Sequence, residues 1–126
     1  MITKEQHEAL LTVGRAAGKY EAAVEHNAWV QDRISNAMRD VDMARRALNK
    51  WADNPTGKEH YEVLKANEEA ATNRLERARI MGRNAADALH RTRALRGEAS
   101  ARLVAMRWWE WVDVRPSTDP TLDTVS

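Results

Sequence analysis

Proline constrains this chain more than any other residue. Only three occur, Pro55, Pro116 and Pro120, so the stretches 1–54 and 56–115 contain none. A proline inside a helix removes a hydrogen bond and clashes with the preceding turn, at a cost of about 3 kcal/mol. Its absence leaves room for two very long helices. Asn54-Pro55-Thr56-Gly57 is the one strong break between them. Pro55 pushes Asn54 out of the helical region, and Gly57 accepts turn conformations that other residues avoid.

Start signals agree with that division. Thr3 and Gln6 have capping-box spacing, in which hydroxyl and amide each satisfy an orphan backbone N–H. Thr56 and Glu59 repeat the spacing after the break. The sequence predicts helix 1 over about 3–53, a turn at 54–57 and helix 2 over about 57–113. Together these form a single helical-hairpin domain, 1–115, and 116–126 reads as a disordered acidic C-terminal tail. A helix of roughly 50 residues is ~75 Å long.

Heptads give the helices a core. In helix 1 the a positions run Leu10, Ala17, Val24, Gln31, Met38, Arg45 and Ala52, and the d positions Val13, Tyr20, Asn27, Ile34, Val41 and Leu48. In helix 2 the a positions run Tyr61, Glu68, Leu75, Gly82, Leu89, Arg96 and Leu103, and the d positions Leu64, Ala71, Ala78, Ala85, Thr92, Ala99 and Met106. Folding the chain about Pro55 sets Leu48 against Leu64, Val41 against Ala71, Met38 against Leu75 and Leu10 against Leu103. Arg45 then meets Glu68 as an ion pair that fixes register, and Gln31 meets Gly82. The fold class expected is all-α: a long antiparallel two-helix coiled-coil hairpin.

Helix 1 is also apolar at every g position: Ala9, Ala16, Ala23, Val30, Ala37, Ala44 and Trp51. Against an a/d seam this strip lies on a flank, where Ala16, Ala23 and Val30 adjoin Leu95, Ala88 and Met81. Small residues let another helix approach closely, so the expected result is a homodimer forming a four-helix bundle, self-associating through this Ala-rich flank.

Met106-Arg107-Trp108-Trp109-Glu110-Trp111-Val112 is the most unusual segment. Three tryptophans within four residues cannot all face one core on a helix. Tryptophan is enriched among binding hot spots because it buries much area with little entropy loss. Trp108, Trp109 and Trp111, with Trp29 on the outer face of helix 1, are therefore the candidate partner-binding residues. Trp51 and Tyr61 are expected to plug the turn end.

Signs of catalysis are missing from the sequence. It has no Cys, so thiolate metal sites and Cys nucleophiles are excluded. His7, His26, His60 and His90 are scattered, and no Walker, zinc-protease or dinucleotide motif occurs. The expectation is a non-enzyme without metal or cofactor. No run approaches the ~18 apolar residues of a membrane span, and the N-terminus has no signal-like apolar stretch. A cytoplasmic protein is expected, with export lacking a cleaved signal as the alternative. The turn sequence Trp51-Ala52-Asp53 lacks the Trp-x-Gly of small secreted WXG-type hairpins.

Charge leaves a second functional class open. The net charge is +1, yet residues 74–107 carry nine Arg against Glu76, Asp87 and Glu98. Arg91, Arg93 and Arg96 are the candidate phosphate contacts there, with Arg93 set opposite Glu21. Two functions follow. The first is a non-catalytic protein-protein interaction module, acting as an adaptor, an assembly factor or a small phage-type inhibitor of a host machine. It would self-associate and dock an unidentified protein with its Trp-rich end. The alternative is a nucleic-acid-associated protein using the Arg-rich helix 2. Abundant Ala, and fifteen Arg against five Lys, suit a GC-rich bacterial or phage genome.

Overall fold

A computed structural model describes residues 2–112. The element order is α1, Lys4–Asp53, then α2, Lys58–Ala105, then a single 3-10 turn, Trp108–Glu110. The two long helices pack against each other as an antiparallel hairpin, and no strand occurs among the described residues. The expected tail, 116–126, lies outside the described residues.

The first helix starts where its capping box places it. The Thr3 hydroxyl accepts from the Gln6 N–H at 3.1 Å, and the Thr3 N–H donates to Gln6 Oε1 at 2.9 Å. The second start differs from expectation. Gly57, at φ 97° and ψ 154°, is the N-cap of α2 and supplies no side-chain cap. Only glycine visits that region at low cost. The helix therefore begins one residue too late for Thr56 to cap it, and Thr56 Oγ1 instead shares a 2.7 Å hydrogen bond with His60 Nδ1.

The seam of α2 is the expected one: Leu75 and Gly82 at a, with Ala71, Ala78, Ala85 and Ala99 at d, are all buried. The seam of α1 is rotated. Ala9, Ala16, Val30 and Ala37, all at g, are buried together with Val41 at d, whereas Val24 and Met38 at a are 41% and 51% exposed. The strip expected to face a second copy is the hairpin's own interface. Of the residues assigned to self-association, Ala16 and Val30 are buried within one chain and Ala23, Met81 and Ala88 half-buried, while Leu95 is exposed.

The reason is polar burial. An a/d seam in α1 carries Gln31, Arg45 and Asn27, whereas a d/g seam carries Asn27 alone. Desolvating a charged or amide side chain without a full set of partners costs several kcal/mol. That outweighs the larger apolar volume of Leu10, Val24 and Met38. Alanine at g facing alanine at d also brings the backbones close, and Ala37, Val41, Ala71, Leu75 and Ala78 form the central buried cluster, with Ile34 and Ala44 packed on it.

The register survives the rotation. A Cβ built on Gly82 would lie 2.7 Å from Ile34 Cδ1 and 3.9 Å from Val30 Cγ1. Glycine is thus what lets the Ile34 side chain seat across the seam. Arg45 Nε lies 3.7 Å from Glu68 Oε1, and Lys65 Nζ lies 3.4 Å from Glu68 Oε2. With Arg45 largely exposed, such a pair adds about 0–1 kcal/mol; it marks the register more than it holds the fold. At the turn end the rings of Trp51 and Tyr61 are 4.9 Å apart.

Candidate interaction site at the tryptophan end

Helix α2 stops at Ala105, short of the expected end, so the tryptophans are not on it. Arg107 adopts the left-handed conformation, φ 53° and ψ 55°, and reverses the chain. For a residue with a Cβ this costs roughly 1–2 kcal/mol. Local bonds offset it. Arg107 Nε meets Glu110 Oε1 at 2.7 Å, the Val112 N–H donates to Trp108 O at 2.8 Å, and Trp111 Nε1 donates to Met106 O at 2.9 Å. The result is a compact hook on the end of the rod.

The hook gives its tryptophans different jobs. Trp111, half-buried, closes the turn onto the last turn of α2. Trp108 is half-buried and meets Trp109 edge-on, with ring centroids 6.1 Å apart and planes at 82°. Trp109 is 47% exposed and has the Arg107 guanidinium 5.9 Å from its ring centre. One large aromatic face is therefore presented on a backbone fixed by hydrogen bonds, which limits the entropy lost on docking.

Trp29 stands apart. It is 49% exposed on the outer side of α1, stacked on His26 at 5.8 Å and covered by Arg33 at 4.7 Å. The register places it about 30 Å along the rod from the hook, so the four candidate tryptophans do not form one patch. The candidate phosphate contacts also separate. Arg96 lies over the Tyr20 ring at 5.1 Å, while Arg91 and Arg93 are turned away from each other by the ~100° per residue of a helix. Arg93 makes no ion pair with Glu21 among the described residues.

Among the described residues no three His, Asp or Glu side chains gather to hold a metal, and no helix is long and apolar enough to cross a membrane. No protein family, curated protein or solved structure matches the chain.

Proposed function

We propose that this chain is a non-catalytic protein-interaction module that docks a partner protein with its tryptophan hook. The observation that carries the reading is Trp109: a large aromatic ring left 47% exposed on a turn held by the hydrogen-bonded N–H groups of Glu110, Trp111 and Val112. Adaptor, assembly factor and inhibitor of a host machine are the roles such a module fills, and the cytoplasm of a bacterium or phage-infected cell is the proposed setting. The test replaces Trp108 and Trp109 with Ala while keeping Trp111, which closes the hook. Loss of a specific partner from pull-downs, with helicity unchanged, supports docking. Capture of every native partner by the variant ends the proposal.

Self-association belongs to the same proposal, on a different surface from the expected one. Rotation of the α1 seam leaves Val24 and Met38 uncovered on one flank, beside a core made largely of alanine. A second copy covering that flank would add the apolar burial the hairpin lacks. Sedimentation of Val24→Glu and Met38→Glu tests it: wild type should be dimeric and the variants monomeric, and a monomeric wild type at micromolar concentration removes the dimer.

A further inference from the structure

The hairpin gathers, on one flank, cations that neither helix collects alone. Arg33 of α1 and Arg74 and Arg77 of α2 line a groove floored by Ala37, Ala78 and Met81, with Asp40 as its acid. Toward the hook, Arg15 and Lys19 of α1 and Arg102 of α2 line another groove, floored by Ala16, Leu95 and Ala99, with Glu98 as its acid. Both lie on the same side, because Lys19 and Arg33 share one heptad position of α1 and Arg74 and Arg102 share one of α2. Among the described residues Arg15, Lys19, Arg33, Arg74 and Arg77 have no carboxylate within 4.0 Å, and Arg102 reaches Glu5 only at 3.9 Å. Six cations thus face two groove acids, in contrast to Arg45 and Arg46, whose charges are met by Glu68 and Asp42.

We propose that this flank binds the phosphate backbone of double-stranded nucleic acid. Guanidinium forks suit phosphate oxygens, and neutralising phosphates releases counterions. The spacing favours a duplex over a flexible polyanion. The two cation groups are about 16 residues apart along α1 and about 26 along α2, an average of ~32 Å at 1.5 Å per residue, close to the ~34 Å repeat at which one face of a duplex presents the same groove again. A straight rod laid along the duplex meets phosphates at both points without bending either molecule. The flank is separate from the hook, so a protein partner and nucleic acid could be held together.

The test measures fluorescence anisotropy of a labelled duplex of roughly 25 base pairs, long enough for two turns. A single strand of equal length and a polyglutamate peptide serve as competitors. Wild type should bind the duplex with a log–log salt slope near −4 to −5, about −0.9 per phosphate contact. Arg33/Arg74/Arg77→Gln should weaken binding by about tenfold and flatten the slope by about 2–3. The control is Arg79/Arg83/Arg93→Gln, which removes equal charge from residues outside both grooves and should change the slope by less than about 1. Far-UV circular dichroism checks that both variants keep their helices. Equal losses in the two variants, tighter binding of the single strand, equal competition by polyglutamate, or no duplex binding at about 50 mM salt would each overturn the proposal.

Discussion

Gly82 gives the sharpest test of the packing. Replacing a helix-interior glycine with alanine normally gains about 0.5–1 kcal/mol by restricting the unfolded chain. At Gly97 a new Cβ meets nothing within 4 Å, so the full gain is expected. At Gly82 the same Cβ would sit 2.7 Å from Ile34 Cδ1. Overpacking of this kind costs about 1–3 kcal/mol, and Ile34, half-buried with a movable terminal methyl, places the cost toward the low end. Gly82→Ala should therefore be neutral or destabilising by up to about 2 kcal/mol. Ile34→Val removes the offending atom at a cost of about 0.5–1.5 kcal/mol. In that background Gly82→Ala should stabilise as Gly97→Ala does, giving a coupling energy of about 1–2 kcal/mol. Urea melts followed by helix ellipticity, at one fixed protein concentration, measure all four corners of the cycle. Additivity within about 0.5 kcal/mol, or Gly82→Ala stabilising the wild type as much as Gly97→Ala, would refute the seam.

Three further outcomes follow. Gly57→Ala should destabilise by about 1–3 kcal/mol in the same melts, because φ 97° with ψ 154° is nearly closed to a residue with a Cβ. Thr3→Ala should cost about 1 kcal/mol, through loss of the hydroxyl acceptor at the α1 N-terminus. Trp111→Phe deletes the 2.9 Å bond to Met106 O, so the hook should be cleaved faster in limited proteolysis while the helix melt is unmoved.

Much of the fold was legible because proline and glycine punctuate it so sparsely. Pro55 located the turn and with it the register, in which Arg45 falls opposite Glu68 and Gln31 opposite Gly82. The seam of α1 was misjudged by weighing side-chain size over polarity. Its d and g positions hold one polar residue in thirteen, against three in thirteen for a and d, and that difference decides which face can be buried. The end of α2 carried no glycine or proline to announce it. Arg107 takes the left-handed role glycine usually fills, held there by Glu110 and the tryptophan hydrogen bonds. The basic flank was invisible in α2 read alone, because its arginines occupy many heptad positions. It emerges only when Arg15, Lys19 and Arg33 of the other helix are laid beside them.

The flank, the exposed a positions and the placement of Trp29 all rest on which face of α1 meets α2. Because the chain has no cysteine, disulfide trapping can decide this directly. Leu75→Cys is paired in one variant with Ala37→Cys and in another with Met38→Cys, and each is oxidised at dilution so that only intrachain bonds form. Ala37 and Leu75 share the central buried cluster whereas Met38 is half exposed, so the Ala37→Cys pair should cross-link and the Met38→Cys pair should stay reduced. Efficient cross-linking of the Met38→Cys pair, with the Ala37→Cys pair left free, would contradict the account.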